Sequence, residues 1–224
     1  MTLEFDTFRI AAATADLKEE SAARPDADCV EFRMDLAADP LGQLADYDGE
    51  LPLLVTNRAD WEGGEARDEG RIETLIEAIE HTPVEAVDIE LATVEGGEGG
   101  DLLDRADAED VSVVVSTHDF EATPPEGELR SLLMRAAGFG DVAKLAVTAE
   151  NRSDTLALLS ATHELTERGQ RVATMAMGEA GSHTRAVAPV YGSKIGYAPV
   201  EPAKATAPGQ YDLETLRSLV NRLV

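Results

Sequence analysis

Cysteine is all but missing from this 224-residue chain. Cys29 stands alone, so no disulfide can form within it and a reducing compartment suits it. Lysine is nearly as scarce: Lys18, Lys144, Lys194 and Lys204 are the only four, and the other fifteen of the 19 basic residues are arginines. Against them stand 44 carboxylates, for a net charge of −25 and a pI near 4.3. Such a surface repels nucleic acid and anionic membranes, so neither is expected as a partner. No apolar run approaches the roughly 18 residues of a spanning helix. Residues Met1–Asp6 lack a basic region followed by an apolar run, so no signal peptide is expected and the location is read as cytoplasmic. An acidic excess with so little lysine fits a cytoplasm at high salt, where screening removes most of the self-repulsion.

What is present suffices for a core: 43% of the residues are hydrophobic. No linker divides the chain, and residues 1–224 read as one domain. Short β-rich runs begin near Phe8, Asp28, Leu51, Val84, Val111, Asp141, Arg171 and Ser193. Amphipathic stretches lie between them. One carries Ile72, Leu75, Ile76 and Ile79, and another Leu129, Leu132, Leu133 and Ala136. A third carries Leu156, Leu159 and Leu165 after Ser153-Asp154, and the last runs from Asp212, a good N-cap, through Leu223. Eight strands alternating with helices predict a (β/α)8 barrel. The alternative is a doubly wound open sheet, but no Gly-rich phosphate turn follows the first run.

The placement of charge is the informative feature. Strands buried on both faces should be apolar, yet these carry Glu31 and Arg33, Arg58, Asp88 and Glu90, His118, and Lys144 near their C-terminal ends. Residues two apart share a face, so Glu31 and Arg33 point the same way, as do Asp88 and Glu90, and Ser116 and His118. In a barrel these ends form the mouth of the active site. Lys144, within Val142-Ala-Lys-Leu-Ala-Val147, suits imine formation with a ketone. A purely structural lysine would pair with Asp141 or Glu90. His118 is a candidate general acid and base, whereas His81 and His163 read as surface residues. No His/Cys spacing suggests a metal site.

These residues resemble the type I 3-dehydroquinate dehydratases, and the resemblance runs from Glu31 to Gln210. The matching segments are Glu31-Phe-Arg-Met-Asp35, Thr56-Asn-Arg58 with Glu62-Gly-Gly64, and Asp88-Ile-Glu-Leu91. Further on come Ser116-Thr-His-Asp-Phe120, Lys144-Leu-Ala-Val147, Met175-Ala-Met177, Thr184-Arg185 and Ala207-Pro-Gly-Gln210. The resemblance implies a (β/α)8 barrel that dehydrates 3-dehydroquinate through a Schiff base on Lys144. His118 would move the protons, and Glu62 would orient it. Arg185 would hold the substrate carboxylate, while Glu31, Arg33, Arg58, Thr206 and Gln210 would read the ring hydroxyls and close the pocket. Met175 and Met177 would line it. No cofactor or metal is implied, a homodimer is expected, and the charge points to a halophilic archaeal source. Thr206 and Thr184 stand where the family often has serine, and the short N-terminus leaves little chain for a hairpin beneath the barrel.

A different Schiff-base barrel lyase, such as a class I aldolase, would explain Lys144 but not its combination with His118, Arg185 and the Pro-Gly-Gln segment. An acidic interaction protein or nucleic-acid mimic would explain the charge but not the inward lysine.

Overall fold

The computed structural model describes residues 3–201, 203 and 209–224. Eight parallel strands form one sheet: β1 Arg9–Thr14, β2 Cys29–Arg33, β3 Leu53–Thr56, β4 Val84–Glu90, β5 Ser112–Asp119, β6 Val142–Thr148, β7 Val172–Met177 and β8 Ile195–Pro199. Each begins within two residues of the position expected from the sequence. The ladder runs β7-β6-β5-β4-β3-β2-β1-β8, so β1 pairs with both β2 and β8 and the sheet curls into a (β/α)8 barrel.

Among the described residues the β7–β8 seam has no strand ladder; Lys194 N–H donates to Val172 O at 2.7 Å, and hydroxyls satisfy the β7 amides beside it. Thr174 N–H donates to Ser193 Oγ at 3.1 Å, and Ala176 N–H donates to Thr184 Oγ1 at 2.9 Å. Thr184 Oγ1 in turn donates to Gly181 O at 2.7 Å. These bonds satisfy strand amides that would otherwise be buried without partners. Thr184 therefore serves the seam, where either a serine or a threonine hydroxyl can act.

Small and apolar side chains, among them Ala11, Cys29, Leu54, Ala86, Val114 and Ala173, fill the barrel interior. Leu3 and Phe5 join that cluster and stop the barrel floor, while Ser112 Oγ donates to Leu3 O at 3.1 Å. Among the described residues no hairpin precedes β1.

The larger core lies between sheet and helices, where Leu75, Leu102, Leu129 and Leu158 are fully buried. The helices Arg71–Ile79, Glu126–Ala136 and Leu213–Leu223 fall where the periodicity places them. Asp212 caps the last by accepting Thr215 N–H at 2.8 Å. Helix Arg152–Glu167 buries Leu159 and Leu165 as expected, together with Leu158, Ala161 and Thr162, but leaves Leu156 67% exposed; Asn151 caps it. Among the described residues no helix is long and apolar enough to cross a membrane.

Candidate active site

A cavity opens at the C-terminal ends of the strands. Lys144, His118, Arg185, Glu62 and Met175 line it, as do Glu31, Arg33, Arg58, Met177 and Gln210. Every expected site residue that is described therefore reaches one cavity. Thr206 lies outside the described residues, as do Lys204, Ala207 and Pro208 of the expected closing segment.

Lys144 sits mid-strand in β6 opposite Ser116 of β5 and is only 4% exposed. Its Nζ donates to Asp88 Oδ2 at 2.9 Å, with Glu31 Oε1 3.9 Å away and the Tyr197 ring centroid at 4.3 Å. The partner is thus Asp88 from β4, not Asp141 or Glu90. Asp141 accepts Val113 N–H at 2.8 Å instead, at the far end of the strands. Asp88 pairs with Val114 of β5 and Lys144 with Ser116, two residues further along the same strand, so the carboxylate and the amine meet across the barrel interior rather than as ladder partners.

Arg58 is the electrostatic hub. Its Nη2 donates to Asp88 Oδ1 at 2.6 Å, and its Nη1 reaches Ser116 Oγ at 2.7 Å, Glu90 Oε1 at 3.0 Å and Glu62 Oε2 at 3.3 Å. Burial opposes its charge, but Asp88, Glu90 and Glu62 together raise its proton affinity above the ordinary arginine range. The guanidinium expected to read substrate hydroxyls therefore also sets the geometry of three carboxylates. Arg33 is similarly engaged, gripping Asp35 through Nε at 2.9 Å and Nη2 at 2.7 Å.

Glu62 arrives on the short turn Asp60–Glu62, which ends at Gly63 with φ +81°. A side chain at Gly63 would be strained by that dihedral and would also strike the Phe120 ring, 2.4 Å from the Cβ position. A Cβ at Gly64 would lie 2.0 Å from Arg58 O, so the two glycines let the turn fold back against the hub. Glu62 Oε1 accepts His118 N–H at 3.1 Å, and Oε2 stands 3.4 Å from His118 Nδ1. Burial pushes the Glu62 carboxyl up to about 7, against the pull of Arg58. Burial, Arg58 and Lys144 push His118 well below its ordinary value. Phe120 stacks on the imidazole with centroids 5.9 Å apart.

Arg185 contrasts with these residues. It lies in the short helix Thr184–Val187 directly after the seam hydroxyl Thr184, and among the described residues no carboxylate forms an ion pair with it. Its Nε is buried without a hydrogen-bond partner, and burial pushes the guanidinium down to about 10. The site thus presents an amine held by an anion, an imidazole beside a carboxyl, and a guanidinium available to a ligand anion. Among the described residues no three His, Cys, Asp or Glu side chains are grouped to hold a metal ion.

Asp88, Ser116 and Glu90 were visible in the sequence as inward-facing neighbours without an assigned part. Tyr197 and Arg71 gave no signal there: the first reads as a core aromatic, the second as an ordinary charge on a helix.

Fold and site together define a (β/α)8-barrel protein with a lysine, a histidine and an arginine converging at its mouth. A family model described as type I 3-dehydroquinase matches residues 9–223. The 3-dehydroquinate dehydratase of Haloarcula marismortui is 58% identical over 225 residues, covering 99% of this chain and 98% of that protein. The Halobacterium salinarum 3-dehydroquinate dehydratase is 51% identical over 222 residues, covering 97% and 98%. Both organisms are halophilic archaea. Among solved structures, the 3-dehydroquinate dehydratase of Geobacillus kaustophilus superposes with a TM-score of 0.87 at 28% identity, covering 97% of this chain and 91% of that one. The type I enzyme of Clostridium difficile, with covalent modified comenic acid, gives 0.85 at 28% identity, covering 97% and 92%. The chain belongs to the type I 3-dehydroquinase family.

Proposed function

We propose that the chain removes water from 3-dehydroquinate to give 3-dehydroshikimate, in aromatic amino acid biosynthesis, through a Schiff base on Lys144. The observation that carries this reading is the convergence of Lys144, His118 and Arg185 on one cavity. The Lys144 amine adds to the substrate ketone, and loss of that oxygen as water leaves a protonated imine. The imine draws electrons from the neighbouring carbon, and His118 takes its proton to leave an enamine. Collapse of the enamine expels the β-hydroxyl, which departs as water with a proton returned by His118. Hydrolysis of the imine then releases product and restores the amine. Arg185 pairs the substrate carboxylate through parallel hydrogen bonds, and Glu62 orients the imidazole. Glu31, Arg33, Arg58, Gln210 and Thr206 read the ring hydroxyls. A single cytoplasmic domain and a homodimer belong to the same reading, and sedimentation analysis tests the assembly.

Borohydride added during turnover reduces a protonated imine to a stable secondary amine. The expected result is a covalent substrate adduct on Lys144 by peptide mass analysis, absent from Lys144→Ala. A fully active Lys144→Ala variant sinks the mechanism.

A further inference from the structure

We propose that Arg71, which lies outside the cavity, is a positioning residue: by clamping Glu90 from behind, it holds Arg58 in place between Asp88 and Glu62. This rests on the function proposed above.

Arg71 is the first residue of helix Arg71–Ile79, is buried, and does not line the cavity. Its Nη1 donates to Glu90 Oε2 at 2.6 Å and its Nη2 to Thr93 Oγ1 at 2.9 Å. The Asn57 side chain donates to Arg71 O at 3.2 Å, and Arg71 Nη1 reaches Asn57 O at 3.4 Å. Arg71 is thus tied both to Glu90 and to the residue immediately before Arg58. The other Glu90 oxygen accepts Arg58 Nη1 at 3.0 Å and Ala59 N–H at 3.1 Å.

The groups form a line of alternating charge: Arg71, Glu90, Arg58, Asp88, Lys144. Glu90 is wholly buried, and a buried carboxylate needs its counter-charges. With Arg71 removed, Arg58 becomes the sole cation hydrogen-bonded to Glu90 and is drawn toward it. Each step of that movement withdraws Arg58 from Asp88, which directs the amine, and from Glu62, which faces the imidazole. A lysine at position 71 would keep the charge but could not span Glu90 and Thr93 as the guanidinium fork does.

A double-mutant cycle in the dehydration assay tests this, using wild type, R71M, E90Q and R71M/E90Q with thermal unfolding of each. R71M is expected to lower kcat/KM between about ten- and a hundredfold, chiefly in kcat, as a small misplacement of reacting groups does. In the E90Q background the same substitution is expected to cost less than about threefold, because a neutral amide needs no second cation. The charged groups facing Glu62 are Arg58, Glu90 and Asp88, with the titratable His118 beside it donating its backbone N–H. Loss of a cation from that network is expected to move the low-pH limb of kcat/KM upward in R71M but not when Glu90 is also neutralised. Equal losses in both backgrounds, or an R71M enzyme that turns over like wild type, would overturn the inference. If R71M does not fold, R71Q and R71Q/E90Q, which also remove the cation, carry the same comparison. Wild type lacking dehydratase activity would defeat the functional reading itself, whereas an active wild type with a flat cycle defeats only the role of Arg71.

Discussion

Asp88 gives Oδ2 to Lys144 at 2.9 Å and Oδ1 to Arg58 at 2.6 Å, so one carboxylate joins the amine to the arginine hub. Burial alone would raise the Asp88 carboxyl, but Arg58, Lys144 and the Ser116 hydroxyl outweigh it and hold the group well below the usual carboxylate range. Asp88 therefore stays ionised across the neutral range, and Nζ is directed by an anion rather than left to sample rotamers.

His118→Ala is expected to slow dehydration by about a hundred- to ten-thousandfold, the usual worth of a positioned acid and base. Borohydride should still trap substrate on Lys144, since the amine retains Asp88. Normal turnover by this variant would remove His118 from the mechanism.

Glu62 makes stability depend on pH. Its folded-state pKa of about 7 lies above the ordinary 4.5, so the folded form holds this proton more tightly than the unfolded chain. The stability from this group is complete below pH 4.5 and is lost as pH rises to about 7, on the order of 3 kcal/mol in all. Glu62→Gln should lack that loss, so its urea midpoint should rise relative to wild type across this window. Parallel midpoint curves for the two proteins would contradict the burial argument.

Arg185→Met should raise KM for the substrate about ten- to a hundredfold, the worth of a charge-assisted hydrogen bond. The melting temperature should hold or rise, because the substitution removes a buried cation without a carboxylate partner. A fall in melting temperature with unchanged KM would mean that Arg185 supports the fold instead.

Salt should stabilise this protein. At net charge −25 the surface repels itself, and lowering salt from about 1 M to 0.1 M lengthens the screening distance from about 3 to 10 Å. The expected result is a lower melting temperature and reduced activity in dilute buffer. Constant values across the series would leave the acidity unconnected to a salty cytoplasm.

The eight strand runs and the end at which charge accumulates were legible because alternation and apolar content are local properties. Lys144 and His118 were legible as inward-facing groups through residue type and place in their strands, whereas Glu62 entered only through the family resemblance. The pairing of Lys144 with Asp88 was not legible, since it is made across the barrel interior by two strands that are not neighbours in the ladder. Leu156 misled for a related reason: helix periodicity gives a face, but the sheet beneath selects it.

The sequence by itself determined the eight strands of the barrel, the acidic excess and the charged groups at the strand ends, because each follows from local pattern and composition. Glu62, Arg185 and Gln210 came from the family resemblance. Only the tertiary structure decided how the charges are shared. It gave Lys144 an anion, made Arg58 a hub, left Arg185 without a carboxylate partner among the described residues and placed Arg71 behind Glu90. The physical reason is that charges withdrawn from water must find partners in three dimensions, and neighbours along the chain do not specify them.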